Sequence, residues 1–183
     1  MIVRTIFCVL VSALCVGMAN AQSTDARGSD DAGRFSVRAG MGFTSDPETF
    51  LTGFDFSYAL RRDWEVGLLL QIGAGDRKTL VAPTINTRFY PDFGLQRSKN
   101  DFVRGLRPFL HGGLGLMHYD LDLPNRRDAD DTEFLMNMGV GADFQLNEHF
   151  SVGTQMTFNV IPDGVFGDKF VYSWQLATAT YRF

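Results

Sequence analysis

The sequence predicts an all-β fold: an eight-stranded antiparallel up-and-down transmembrane β-barrel with periplasmic termini. Three observations carry this expectation. From Arg34 onward the dominant hydrophobic period is two rather than 3.6, the signature of strands with two unlike faces. About eight such stretches follow one another, and the last closes on Tyr181-Arg182-Phe183. The chain also opens with a segment that reads as a cleavable export signal.

That signal is placed at residues 1–21. Its only charge is Arg4, an apolar run extends from Ile6 to Val16, and Ala19-Asn20-Ala21 puts small residues where a signal peptidase inspects them, so cleavage is expected before Gln22. The run is too short to act as a comfortable anchor. Cys8 and Cys15 both fall inside it, and bulky Leu14 precedes Cys15 where lipidation needs a small residue. Removing the signal takes Arg4 from the 17 basic residues and leaves 16 against 21 acidic, a net charge of about −5 with no cysteine. Disulfide and thiol chemistry are thereby excluded, and a mildly acidic chain without basic clusters offers no electrostatic case for nucleic acid. Residues 22–33 are small and polar and read as a leader, which leaves 34–183 as one barrel domain.

Within that domain the first three stretches alternate most clearly. Phe35, Val37, Ala39, Met41 and Phe43 stand opposite Ser36, Arg38, Gly40 and Gly42. Phe50, Thr52, Phe54, Phe56, Tyr58 and Leu60 stand opposite Gly53, Asp55, Ser57 and Ala59, and Trp64, Val66, Leu68, Leu70 and Ile72 opposite Glu65, Gly67, Leu69, Gln71 and Gly73. Residues 80–90 continue the pattern with Pro83 on the apolar phase, where it removes one ladder donor. Residues 106–119 are dense in glycine and their facing is ambiguous. Residues 133–146 and 150–160 alternate again, with Asp143 on the polar side. The last strand, 170–183, changes phase, which implies either a bulge near Ala177 or an apolar contact in the lumen.

The links fit a barrel with short inner turns. Expected outer loops are 44–49, 74–79, 120–132 and 161–169; expected inner links are Arg61-Arg62-Asp63, the longer 91–105, and Asn147-Glu148-His149. A soluble barrel would point its apolar face inward. Here the polar face is rich in glycine yet carries full charges, and aromatics gather at strand ends. Phe35, Tyr58, Trp64, Phe89, Phe144, Phe150, Tyr181 and Phe183 would ring the periplasmic interface, and Phe43, Phe50, Phe134 and Phe158 the outer one. Membrane lipid is therefore the expected surrounding.

Projected by strand direction, Arg38, Glu65, Arg88, Asp143 and Arg182 all fall in the periplasmic half of the lumen, with Asp55 nearer the middle. An eight-stranded barrel is just wide enough for side chains to fill it, and buried charges must pair, so a salt-bridged polar plug is expected. Glycines 40, 42, 53, 67, 73, 139, 141 and 153 then read as room for long Arg and Gln side chains.

Two stretches resemble a known family. The closing segment Ala177-Thr178-Ala179-Thr180-Tyr181-Arg182-Phe183 resembles the C-terminal signal of bacterial outer-membrane barrels, a terminal Phe with an aromatic two residues earlier. Arg88-Phe89-Tyr90-Pro91, a linker, then Leu106-Arg107-Pro108-Phe109-Leu110-His111-Gly112-Gly113-Leu114-Gly115 is similar to a stretch of small barrels of the OmpA-transmembrane, OmpW and opacity-porin type. The resemblance implies location in the cell outer membrane, lipopolysaccharide as a neighbour, and Tyr181 and Phe183 as the signal read by the barrel assembly machinery and periplasmic chaperones. It leaves activity open, because that superfamily holds structural proteins, adhesins, small channels and enzymes.

The residues do not support a catalytic reading. A barrel acyl hydrolase needs a Ser–His pair with an acidic orienter. Of the three histidines, His149 sits in an inner turn, and His111 and His118 have no serine one or two residues away. The same dispersion argues against zinc, and no cofactor is expected. Gly73-Ala74-Gly75-Asp76-Arg77-Lys78-Thr79 lacks the glycine before Lys that a phosphate loop needs and reads as a hairpin turn. In loop 120–132, Asp120, Asp122, Asp128, Asp130 and Asp131 with Arg126 and Arg127 fit a solvated charged loop better than a cation or lipopolysaccharide site. The expected role is structural, in envelope integrity, with a filled lumen; a surface adhesin acting on an unidentified host ligand and a narrow gated porin are the alternatives.

Overall fold

The structure, a computed structural model, describes residues 33–183 apart from 46–47, 76–77, 122–128 and 166–167. The expected signal at 1–21, the leader up to residue 32, and Asp122, Arg126, Arg127 and Asp128 of the charged loop lie outside the described residues.

Eight strands follow in order: β1 (Phe35–Thr44), β2 (Thr49–Arg61), β3 (Trp64–Gly75), β4 (Lys78–Phe89), β5 (Leu106–Leu121), β6 (Ala129–Gln145), β7 (Phe150–Val165) and β8 (Asp168–Arg182). Each pairs antiparallel with the next, and β8 pairs with β1, so the sheet closes on itself with no free edge along the paired length. Closure is what allows a sheet to cross lipid, because every backbone donor and acceptor finds a partner inside the wall.

The burial pattern is inverted relative to a soluble barrel. Arg38 and Asp143 are 2% and 1% exposed, while Leu68 and Met138 are 54% and 63% exposed. Burial alternates strictly along β1 and along β2 as far as Leu60; the outward set is apolar except Thr52, and the inward set is polar or small except Leu51. Apolar surface of this extent is favourable only where the surrounding medium is itself apolar.

Two irregularities in the wall have legible causes. The β4–β5 ladder lapses at Ala82 and Pro83 and resumes at Thr84↔Gly115 in unchanged register, as the absent proline N–H requires. In β8 the register against β1 and β7 shifts between Gln175 and Ala177, so the phase change is a β-bulge, with Leu176 and Ala177 both facing outward. The bulge frees a carbonyl on the lipid side, and the Thr154 hydroxyl answers it, donating to Gln175 O at 2.9 Å and accepting from Trp174 Nε1 at 2.9 Å.

Other expectations are corrected. The described residues of the segments expected as outer loops 120–132 and 161–169 are strand: β5 runs to Leu121, β6 begins at Ala129, and β7 and β8 meet at Val165↔Asp168. Strands β5 to β8 are 15–17 residues long against 10–13 for β1 to β4. A tilted strand crosses the bilayer in ~9–11 residues, so the surplus stands above it on one side. The inner link 91–105 also has structure. Asp92 Oδ1 accepts from Gly94 N at 2.8 Å, Gly94 takes a left-handed φ of 70°, and a single 3-10 turn follows at Leu95–Arg97. The short helix α1 (Asp101–Gly105) is capped by Asn100, whose side chain accepts from Phe102 N. The ambiguous strand β5 resolves into Arg107, Phe109, His111, Met117 and Tyr119 inward, with Leu110, Leu114 and Leu116 outward.

Candidate functional site

The lumen is the place where the fold concentrates charge. Strand polarity brings Arg38 from β1, Asp55 from β2, Glu65 from β3, Arg88 from β4, Asp143 from β6 and Arg182 from β8 to the inner half, all buried. Arg38 Nη2 donates to Asp143 Oδ2 at 2.6 Å. Arg88 bridges two acids, donating from Nη2 to Asp55 Oδ2 at 2.8 Å and from Nη1 to Glu65 Oε2 at 3.1 Å. Arg182 is buried with them and forms no salt bridge to Asp55, Glu65 or Asp143.

Three further residues complete the cluster and were not singled out from the sequence. Phe109, 1% exposed, holds the guanidinium carbons of both Arg38 and Arg88 at 4.9 Å from its ring centre. Tyr90 packs against Phe109 with ring centres 5.6 Å apart, and its hydroxyl lies 3.3 Å from Glu65 Oε2 and 3.4 Å from Asp143 Oδ2. Arg107 lies over the other ring, 4.6 Å from the Tyr90 centroid. One signal was available for Tyr90: the parity that turns Arg88 inward also turns residue 90 inward. For Phe109 and Arg107 the signal was weak, because Arg107 stands at the inner rim, where a long cationic side chain can reach water from either face, and the glycines of β5 hide its parity.

Above the charges lies a belt of amides and hydroxyls, including Gln71, Asn137, Gln155, Asn159, Ser173 and Gln175, all buried. Towards the outer rim the lumen turns apolar. Leu80, Ala82, Met117, Tyr119, Leu135, Ile161 and Val171 form one buried cluster contributed by five consecutive strands, β4 to β8. An ionic inner tier, an amide middle and an apolar outer tier therefore succeed one another along the axis.

The inward glycines make room for a Gln side chain at two positions, as expected, and serve this packing differently elsewhere. Gly40 and Gly53 make room for the Gln175 amide, Gly139 for the His111 ring, Gly141 for the Phe109 ring and Gly153 for the Asp143 carboxylate. The backbone of the neighbouring strand closes on Gly42 and Gly67, at Trp174 and Phe56, and also on Gly139 and Gly153, at Met156 and Ala142. No arginine side chain is the nearest neighbour at any of the eight expected positions.

Outside the wall, aromatic rings pair at both rims. At the inner rim Phe35 meets Tyr58 at 4.9 Å, Trp64 meets Phe89 at 5.0 Å, Phe144 meets Phe102 of α1 at 5.1 Å, and Tyr181 stacks with His149 at 6.0 Å. Phe150 is partly exposed on the same rim, and Phe183 is 38% exposed. Towards the outer rim Phe43 meets Trp174 at 5.9 Å and Phe158 meets Phe170 at 6.0 Å. The histidines lie apart. His111 is in the lumen beside Thr157 Oγ1 at 3.3 Å, His118 is on the outer surface beside Thr132 Oγ1 at 2.8 Å, and His149 is in an inner turn.

A closed sheet with an apolar exterior, aromatic rims and a charged, packed interior defines a transmembrane β-barrel of the bacterial outer membrane. The chain belongs to the family described as outer membrane protein beta-barrel domain, whose model matches residues 8–183. No curated protein sequence matches it. Among solved structures, the N-terminal β-barrel domain of Pseudomonas aeruginosa OprF superposes with a TM-score of 0.63 at 15% identity, covering 83% of this chain and 98% of that one. Neisserial surface protein A (NspA) gives 0.60 at 14% identity, covering 85% and 98%. Ail, the attachment invasion locus protein of Yersinia pestis, gives 0.56 at 14% in its complex with the heparin analogue sucrose octasulfate, covering 83% and 99%. At such identities the likeness is one of fold.

Proposed function

We propose that this barrel is a non-enzymatic structural component of the outer membrane, anchored by its apolar exterior and closed by its own side chains. The observation that carries the reading is the change of character along the lumen. An ion moving through would have to displace paired charges at the inner end and then wet an apolar tier at the outer end. Each barrier alone opposes conduction, since breaking a buried pair costs about 3–5 kcal/mol and an apolar constriction gates by dewetting. In this reading Arg38, Asp55, Glu65, Arg88, Asp143 and Arg182 act as a plug. The rim aromatics Phe35, Tyr58, Trp64, Phe89, Phe144 and Phe150 set depth in lipid, and Tyr181 and Phe183 serve as the assembly signal.

Purified protein in planar bilayers should give no discrete conductance steps, and a deletion strain should admit detergents that wild type excludes. Reproducible steps would favour a gated pore instead. The taller wall formed by β5 to β8 favours one second reading, recognition of a surface ligand outside the cell. Whole-cell binding to matrix proteins or serum factors, lost when 120–132 is trimmed, would support it.

A further inference from the structure

The inner rim carries a built feature that neither the plug nor the wall requires. Strand β4 ends at Phe89, opposite Leu110, whereas β5 already begins at Leu106. The base of β5 therefore has β6 on one side and no strand on the other, because the chain has left the wall after Tyr90. Link 91–105 folds past this notch without filling it. A cleft of about 290 Å³ remains, open at the level of the inner rim.

Its lining combines three chemistries. Phe93, Leu95, Leu106 and Pro108 supply an apolar side, Arg62 and Arg107 supply cations, and Asp63 and Asp92 supply carboxylates. Arg107 is held in place by the Tyr90 ring at 4.6 Å and by donation from Nη2 to the Arg62 carbonyl at 3.4 Å. Arg62, Asp63 and Asp92 are exposed. The link around the cleft is itself dressed for an interface. Phe93 and Phe102 are 64% and 63% exposed, and Phe102 stacks on Phe144 of the inner aromatic girdle. Apolar rings at that depth meet headgroups and the first methylenes of lipid.

We propose that this cleft binds one phospholipid of the inner leaflet whose headgroup carries both a phosphate and a primary ammonium, the ethanolamine class. The phosphate meets Arg62 and Arg107, the ammonium meets Asp63 and Asp92, and the upper acyl chain lies along Phe93, Leu95 and Pro108. Paired cations and carboxylates on an apolar floor match a zwitterion better than a purely anionic lipid, which the two aspartates would repel. An ammonium with three protons can donate to carboxylates, whereas a trimethylated headgroup cannot.

The test uses the full mature chain, folded in nanodiscs of equal phosphatidylethanolamine, phosphatidylglycerol and phosphatidylcholine, and native mass spectrometry of the released protein. One phosphatidylethanolamine should be retained in preference to the other two. Asp63→Asn should reduce that preference over phosphatidylcholine about tenfold, the scale of one charge-assisted contact, and Arg62→Gln should weaken retention of all three lipids. Phe93→Ser, with gel mobility confirming a folded barrel, should lower retention without changing headgroup preference. Equal retention of the three lipids, preference for phosphatidylglycerol, or indifference to Asp63→Asn would overturn the proposal. So would equally strong binding of soluble glycerophosphoethanolamine, which would make the apolar side irrelevant.

Discussion

Replacing Asp143 with Asn tests the ionic tier most directly. Asp143 and Arg38 are 1% and 2% exposed at their side chains and stand 2.6 Å apart. The substitution keeps the shape of the side chain and removes its charge, so Arg38 is left buried without its anion. No nearby acid can take over, because Asp55 and Glu65 are both bound to Arg88. The buried inner cluster holds Arg38, Arg88, Arg107 and Arg182 against Asp55, Glu65 and Asp143, so the loss leaves four cations facing two anions. Breaking a buried pair from one side costs about 3–5 kcal/mol, much of it the desolvation of the stranded partner. The Phe109 ring at 4.9 Å lies beside Arg38 in both proteins and cancels in the comparison, so the expected loss stays at about 3–5 kcal/mol. Arg38→Gln should cost a similar amount from the other side. The double variant removes both charges and should cost no more than either single change, a coupling of at least ~2 kcal/mol. Urea unfolding of the barrel in lipid vesicles, read by tryptophan fluorescence, measures all four proteins. Additive losses, or an Asp143→Asn barrel within ~0.5 kcal/mol of wild type, would show that the pair does not hold the inner lumen together.

Three further outcomes follow from the wall and its rims. Gly42→Ala should destabilise by about 1–3 kcal/mol or block assembly, because the new methyl meets the Trp174 backbone; Gly53→Ala should cost under ~1 kcal/mol, because only the Gln175 amide must move, and comparative urea unfolding decides it. Thr154→Val should cost about 1–3 kcal/mol by stranding the bulge carbonyl of Gln175 on the lipid side, while Thr154→Ser stays near wild type; equal stability of the two would remove the hydroxyl from the account. With Trp174 replaced by Phe, the remaining Trp64 should be quenched more by phospholipids brominated near the headgroup than by those brominated at the chain ends, since its ring sits with Phe89 at the inner rim. The reverse depth profile would move that girdle into the bilayer core.

Much of the fold was legible because one rule covers most of it: in an alternating strand that crosses lipid, a charge can face only inward. That rule set the facing of β1 through Arg38, β2 through Asp55, β3 through Glu65, β4 through Arg88 and β6 through Asp143. It failed at the ends of the long strands. Segments 120–132 and 161–169 were expected as loops because they lack apolar alternation. A strand that stands above the membrane has no lipid to face and need not alternate. The described residues on either side of 122–128 and 166–167 pair, Leu121 with Ala129 and Val165 with Asp168.

The candidate site shows the same asymmetry from the inside. A charge in such a strand identifies its side, whereas a leucine or phenylalanine does not, because both the exterior and the outer lumen of this barrel are apolar. Leu51, Leu69, Leu80, Met117, Leu135 and Ile161 are all inward and nearly inaccessible. Its own chemistry makes each as compatible with the lipid face, and only the parity of its strand, as for Leu69 between Glu65 and Gln71, can turn it inward. Phe109 is the costliest case, since the ring that organises two arginines lies in a strand whose glycines at 112, 113 and 115 erase the contrast between faces. In β8 the difficulty reverses, for the apolar set is clear but an extra residue moves it from even to odd positions. Without the bulge, strict alternation from Trp174 onward would turn Thr178, Thr180 and Arg182 from lumen to lipid. The bulge is therefore what allows one strand both to bury Arg182 at the inner end and to present Trp174 and Tyr181 outward.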